Sequence, residues 1–216
     1  MQEFCETTGL IIKSEPYDEY DRRLVILTKD RGKISAFAKG ARRQTNKLVG
    51  CSDVFIFGDF KLYAGRNAYS VQDCKVRNYF ETMKQDLQKA MYGGYFLEVC
   101  DYLTHENADE YEVLNLLYSS LKALSNERLD NELIKTVFEL KMLYLSGEFE
   151  VTSCNYREAT LYTTEFIRKT PGHRLYSFTV TKEVYEELKR ISSQGRKKIW
   201  QHEFKSEDLL KIIENE

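Results

Sequence analysis

A run of lysine and arginine side chains between positions 22 and 47 carries the clearest chemistry in this sequence. Nine cations stand there against one carboxylate, that of Asp30, which leaves a local excess of eight positive charges. Ammonium and guanidinium groups neutralise phosphates, and an excess of this size is larger than solubility requires. The segment therefore predicts a polyanion-binding surface, although the same charges could simply solvate the outside of a fold. The candidate contacts in it are Arg22, Arg23, Lys33, Lys39, Arg42, Arg43 and Lys47.

The segment from Lys33 to Lys39 alternates between apolar and polar positions, as a half-buried strand does. Its alanine and isoleucine positions face one way, and Phe37 shares the other face with the lysines. An aromatic ring between cations suits single-stranded nucleic acid, because a base can stack on the ring while the cations hold the phosphates. A lone phenylalanine is more often a packing residue, so Phe37 is a candidate with two readings.

The residues that support catalysis or metal binding are sparse. The histidines are His105, His173 and His202, and none has a partner at the spacing of a catalytic triad or metal site. The five cysteines include no pair separated by two residues, which argues against a zinc site and against a disulfide framework. We therefore predict a protein that is not an enzyme and that has no cofactor and no bound metal.

The first 80 residues show the pattern of a small all-β domain. Short runs rich in β-forming residues are separated by turn signals such as Asp30-Arg31-Gly32 and Ala64-Gly65-Arg66-Asn67. Five strands in about 75 residues predict a closed barrel of the OB-fold type, with Gly58 at a bulge. Arg66 in the second turn adds a further candidate cation. The predicted strands are 9–12, 24–28, 33–39, 54–63 and 68–76.

From residue 81 the apolar positions recur at helical spacing, which places a domain boundary near residue 80. We expect a long helix from Glu81, then helices at Tyr111–Leu124 and Asn131–Leu145, the last ended by Gly147. Beyond it the pattern predicts strands at 160–166 and 174–181 and helices at 183–191 and 206–213. The predicted fold is α+β: an OB-fold barrel at 1–80 and a mainly helical domain at 81–216 with a small C-terminal α/β subdomain.

Six segments of the sequence stand out as an ordered set: Gly9-Leu-Ile-Ile-Lys13, Tyr17-Asp-Glu-Tyr-Asp-Arg22, Gly32-Lys-Ile-Ser-Ala-Phe-Ala-Lys-Gly-Ala-Arg42, Phe60-Lys-Leu-Tyr-Ala-Gly-Arg66, Met91-Tyr-Gly-Gly-Tyr-Phe-Leu-Glu-Val-Cys-Asp-Tyr-Leu-Thr104 and Glu139-Leu-Lys-Met-Leu-Tyr-Leu-Ser-Gly147. Together they resemble the RecO family of DNA repair proteins. The resemblance covers about residues 1 to 154, and the stretch from Lys39 to Arg42 is its most specific part.

This resemblance implies a mediator of recombinational repair that binds single- and double-stranded DNA and anneals complementary strands. It also implies that the protein helps RecR load RecA onto strands coated by single-strand-binding protein. At the positions that match the family motifs, the resemblance implies that Arg22, Lys33, Lys39 and Arg42 contact DNA. Charge and location alone add Arg23, Arg43, Lys47 and Arg66.

The last 60 residues depart from the family pattern. Many family members have four zinc-binding cysteines in this region, whereas this chain has Cys154, then Arg157 three residues later, and no later pair around Gly172 to Ser177. One thiolate cannot build a tetrahedral zinc site. We therefore expect a degenerate zinc-finger-like subdomain at about 150–181 that has lost its metal and is held by packing.

Location and the alternative function rest on composition. The sequence has no run of 18 uncharged apolar residues, and its start lacks a basic-then-apolar leader, so we expect a cytoplasmic, nucleoid-associated protein with no membrane partner. The alternative to a repair mediator is an OB-fold adaptor for RNA or another polyanion with no recombination role.

Overall fold

The computed structural model describes residues 4–66, 68–151 and 155–214, with side chains described up to Leu210. The described chain contains five strands followed by seven α-helices. The strands are β1 Phe4–Tyr17, β2 Asp21–Thr28, β3 Lys33–Ala38, β4 Phe57–Ala64 and β5 Tyr69–Asn78. The helices are α1 Thr82–Gln85, α2 Leu87–Leu103, α3 Tyr111–Leu124, α4 Asn131–Leu145, α5 Glu158–Lys169, α6 Lys182–Ile199 and α7 Lys205–Glu214.

The strands form a closed barrel in the order β1-β2-β3-β5-β4, in which β1 pairs with both β2 and β4. All pairings are antiparallel except that of β3 with β5. This is the five-stranded OB-type barrel that the sequence predicts. The register of β1 against β2 shifts between Ile11 and Lys13. That bulge bends the long first strand, so that its two halves can pair with different neighbours.

The barrel interior is filled by side chains from alternate positions of the strands. On β3, Ile34, Ala36 and Ala38 are buried, and Leu24 and Ile26 of β2 face them. The prediction that Ile34, Ala36 and Ala38 form the core face of β3 is therefore confirmed.

The predicted bulge at the start of β4 is also confirmed, because the register of β4 against β5 shifts between Phe57 and Gly58.

Two strand predictions in the C-terminal region are wrong. Residues 160–166 lie within α5, where Thr160, Thr164 and Ile167 are buried at the spacing of a helix face. Thr163 and Thr164 donate hydroxyl hydrogen bonds to carbonyls within the helix, which satisfies β-favouring residues there. Arg174 ends a short 3₁₀ helix, Gly172–Arg174, and residues 175–181 form neither helix nor strand. The described part of this C-terminal region is therefore helical, not α/β.

Other boundaries differ by a few residues. The predicted strand 54–63 begins only at Phe57, because Phe55 takes a φ of 68°, which extended backbone does not allow. The helix predicted at 183–191 continues to Ile199. Helices α3 and α4 have the predicted bounds, and Gly147 follows α4 with a φ of 78°, as a C-terminal capping glycine does.

The described chain divides into two compact units, Met1–Gln85 with Leu97–Leu114, and Asp86–Phe96 with Asn115–Glu216. The second unit is organised around α4, which packs on α5 and α6. The buried carboxylate of Glu139 accepts hydrogen bonds from the hydroxyls of Tyr95 and Ser192 and pairs with Arg196. The boundary near residue 80 stays a prediction.

Candidate nucleic-acid interface

A groove of about 470 Å³ opens on the barrel. Its lining comes from the turn between β1 and β2, from the end of β3 and from the start of β5. In OB-type barrels this region, formed by strands 2 and 3 and the two adjoining loops, is where oligonucleotides bind. The lining residues are Tyr17, Asp18, Asp21, Phe37, Lys39, Ala68, Tyr69 and Ser70.

Two aromatic rings pack together in the groove. The ring centroids of Tyr17 and Phe37 lie 4.7 Å apart with the planes inclined at 50°. Phe37 is half-buried on the outer face of β3, opposite Arg23 in the neighbouring strand. Tyr17 as a whole remains 45% exposed. Tyr17 was not among the sequence-predicted contacts, although it begins the segment Tyr17-Asp-Glu-Tyr-Asp-Arg22 that resembles the family.

The basic segment after β3, residues 39–47, contacts the turn between β1 and β2 through two arginines. The Arg42 guanidinium donates hydrogen bonds to the backbone carbonyls of Asp18 and Glu19, at 3.4 and 3.2 Å. The Arg43 guanidinium lies over the ring of Tyr20, 4.3 Å from its centroid. These contacts hold two exposed cations at the turn that contributes to the groove lining.

Lys39 lines the groove and is exposed to solvent. Within the described ranges its ammonium forms no ion pair. The next residue, Gly40, has a φ of 68° and donates its backbone N–H to the carboxylate of Asp21 at 2.7 Å. The lysine is therefore fixed in place by its backbone while its charge stays available.

Two further candidate residues are exposed near the groove. Arg23 stands opposite Phe37 on the outer face, where its Nε donates to the hydroxyl of Ser35 at 3.3 Å. Arg66 is exposed in the hairpin between β4 and β5, the same hairpin that contributes Ala68 to the groove. The predicted turn residue Asn67 lies outside the described residues.

Arg22 points the other way. It pairs with Ala38, so its side chain is on the inner face of the barrel wall and is only 29% exposed. Its guanidinium donates to the hydroxyl of Ser14 at 2.9 Å and forms an ion pair with Asp53 at 3.2 Å. Arg22 does not line the groove.

Lys33 and Lys47 each form an ion pair with a carboxylate. The ammonium of Lys33, at the far end of β3, lies 3.3 Å from Asp101 and its side chain is 21% exposed. Lys47 forms an ion pair with Asp73 at 3.2 Å. A hydrogen bond from Lys47, together with its charge, lowers the pKa of the Asp73 carboxyl. The structure thus places Phe37 and Lys39 in the groove, leaves Arg23, Arg42, Arg43 and Arg66 exposed on neighbouring segments, and pairs Arg22, Lys33 and Lys47 with carboxylates elsewhere.

The described ranges contain no cluster of three or more His, Cys, Asp or Glu side chains that could hold a metal ion. Cys154, the cysteine in the predicted zinc-finger-like region, lies outside them. Cys5, Cys51, Cys74 and Cys100 are free thiols. Burial raises the pKa of the Cys100 thiol, which favours its neutral form.

Two family models match successive parts of the chain. The one described as "Recombination protein O N terminal" matches residues 1–80, and the one described as "Recombination protein O C terminal" matches residues 84–149. The chain belongs to the RecO family. Membership supports a role in DNA repair and recombination, and it agrees with an OB-type barrel followed by helices.

Relatives named "DNA repair protein RecO" resemble this RecO chain along most of its length. The protein of Clostridium perfringens strain 13 is 28% identical over 240 residues, covering 96% of this chain and 98% of the relative. That of Alkaliphilus metalliredigens is 35% identical over 150 residues, covering 69% and 61%. That of Acetivibrio thermocellus is 25% identical over 245 residues, covering 98% of each. None of the helices described for this RecO chain is long and apolar enough to cross a membrane.

Proposed function

We propose that this RecO protein is a recombinational-repair mediator that grips single-stranded DNA in the groove of its N-terminal barrel. The observation that carries the proposal is the Tyr17–Phe37 ring pair bordered by exposed cations, at the place where OB-type barrels bind oligonucleotides. An unpaired base offers a free face to an aromatic ring, and each stacked base contributes about 1–3 kcal/mol. A base pair within a duplex has no free face.

The proposed DNA contacts are the residues that border the groove. We assign phosphate binding to Arg23, Lys39, Arg42, Arg43 and Arg66, and base stacking to Phe37 with Tyr17. Arg22, Lys33 and Lys47 we assign to the framework of the barrel, because each already has a carboxylate partner. Double-stranded DNA would bind through the same cations without stacking, and therefore more weakly in the groove.

We further propose that the protein anneals complementary strands and helps RecR load RecA onto DNA coated by single-strand-binding protein, without making or breaking covalent bonds. Family membership supports these activities. They are tested by mixing labelled complementary strands, each coated with single-strand-binding protein, and following duplex formation with and without the protein. Strands cleaved after incubation with magnesium or manganese would contradict the non-catalytic part.

Salt dependence tests the DNA grip itself. About five phosphate contacts to a single strand predict that log Kobs falls with log salt concentration with a slope of roughly −3.5. We would measure this by fluorescence anisotropy with a labelled oligonucleotide across a salt series. An affinity that does not change with salt would contradict the proposal. Displacement of DNA by single-stranded RNA at equal or lower concentration would favour the RNA or polyanion adaptor instead.

A further inference from the structure

Two carboxylates line the groove next to the aromatic pair and Lys39. Asp18 and Asp21 both contribute to the wall on the side of the turn between β1 and β2. A carboxylate repels phosphate oxygens, so a purely phosphate-binding groove would not place two of them beside its cation. The pair therefore indicates that the part of the nucleic acid inside the groove is the base, which carries hydrogen-bond donors.

The two carboxylates are not equivalent. Asp21 already accepts the backbone N–H of Gly40 at 2.7 Å, which holds the start of the basic segment. Within the described ranges no donor hydrogen-bonds the carboxylate of Asp18. Its backbone carbonyl accepts a hydrogen bond from Arg42 at 3.4 Å, and its φ is 49°. Asp18 thus lines the groove with a carboxylate whose two oxygens accept no hydrogen bond from the described residues.

The chemistry of this acceptor pair discriminates among bases. The Watson–Crick edge of guanine places the N1–H and N2–H₂ donors side by side, and these two donors match the two oxygens of one carboxylate. Thymine offers one N3–H between two carbonyl oxygens, which a carboxylate repels. Cytosine and adenine offer one amino group beside an acceptor nitrogen. Unpaired bases are commonly read on this edge while they stack on aromatic rings.

We propose that the groove is a base-selective subsite that prefers guanine over thymine, with Asp18 as its specificity-determining residue. The inference rests on the proposed function, since it deepens the same site. It assigns the aromatic pair to affinity for any base and the carboxylate to the choice of base.

The test compares oligothymidines of about six nucleotides, a length within the site sizes of such barrels, that differ at one central base. The central base is thymine, guanine, hypoxanthine or cytosine. Hypoxanthine keeps N1–H and O6 but lacks the N2 amino group, and a single guanine avoids four-stranded structures. Fluorescence anisotropy should show guanine binding about fivefold or more tighter than thymine, as a bidentate contact predicts, with hypoxanthine between them.

Asp18→Asn and Asp18→Gly remove the carboxylate with residues that tolerate a positive φ. Both should lose the guanine preference, and thymine should bind at least as tightly as to the unaltered protein, because the repulsion from the carboxylate is gone. Glu19→Gln is the matched control, because Glu19 is the neighbouring exposed carboxylate and does not line the groove. It should keep the preference, which separates base readout from a general change of charge.

Equal binding of all four oligonucleotides by the unaltered protein would overturn the subsite, as would a guanine preference that persists in both Asp18 variants. Binding without base preference would leave the proposed DNA grip intact. Failure to bind any oligonucleotide would overturn the DNA grip and the subsite together.

Discussion

At the scale of single residues, the exposed ring of Tyr17 is the groove feature with the most direct effect on affinity. Tyr17→Ala should weaken binding of single-stranded DNA by about 5- to 150-fold, because one stacked base contributes about 1–3 kcal/mol. Anisotropy at fixed salt measures the loss. Tyr79→Ala is the control, since Tyr79 is 43% exposed against 45% for Tyr17 and lies outside the groove. Equal losses in the two variants would contradict a stacking role.

Lys47 allows a second test, of pH dependence. The Asp73 carboxyl, held by Lys47, has a pKa below the ordinary aspartate value of about 3.9. Since the folded-state pKa is the lower one, the pair stabilises the fold above pH ~3.9, and this stabilisation is lost as the pH falls through the folded-state pKa.

Lys47→Gln should therefore raise the pKa of Asp73 towards about 3.9, as followed by a carboxyl NMR titration. Asp59 is the internal control, because its pKa is lowered by a hydrogen bond from Thr8 and by Arg77 instead. A rise at Asp59, or no change at Asp73, would show that Lys47 is not the partner.

Sequence could predict some of these residue roles and not others. Leu24 and Ile26 face the barrel interior, and the same alternation two positions earlier places Arg22 on the inner face. The predicted strand began at Leu24, so this position of Arg22 was missed. The partner of Lys33 is Asp101, 68 residues away, so no local pattern could reveal the ion pair. Phe37 was predictable because a period-two strand fixes its face.

At the scale of elements, the hairpin between β2 and β3 depends on Gly32. Its φ is 63°, and an added Cβ would lie 2.5 Å from the carbonyl oxygen of His105 and 2.8 Å from that of Ala108. Gly147 has a similar φ of 78° but open space around it. The two positions share the backbone strain and differ in the steric clash.

Gly147→Ala should cost about 1–2 kcal/mol of unfolding free energy, the strain of left-handed backbone for a residue with a Cβ. Gly32→Ala should cost clearly more, because the clash adds to this strain. Urea unfolding of both variants measures the difference. Equal losses would mean that the contacts of the hairpin with residues 105 and 108 do not constrain it.

The strands of the barrel and the two middle helices were predictable because their apolar residues repeat with a clear period. The helix Glu158–Lys169 was not, because threonine, tyrosine and phenylalanine favour strands by local propensity. The signal present was the spacing of Thr160, Thr164 and Ile167 along one helix face. Tertiary burial of that face outweighs propensity here.

At the scale of the whole molecule, the charge asymmetry in the sequence corresponds to a division of roles. Residues 1–80 contain 14 basic and 10 acidic side chains, and the remaining residues contain 18 and 24. The net positive part is the barrel that carries the groove. The sequence could indicate this polyanion-binding part, but not the groove itself, which depends on the closure of the barrel.

The central claim is that single-stranded DNA lies in the groove beside Lys39. The most direct measurement compares Lys39→Gln with Lys75→Gln, an identical charge change at an exposed β5 residue outside the groove. Anisotropy titrations of a labelled single strand are recorded across a salt series. We expect Lys39→Gln to weaken binding and to reduce the log–log salt slope by about 0.7, the loss of one phosphate contact, while Lys75→Gln leaves the slope unchanged. Equal slopes in a folded Lys39→Gln variant and the unaltered protein would contradict the account.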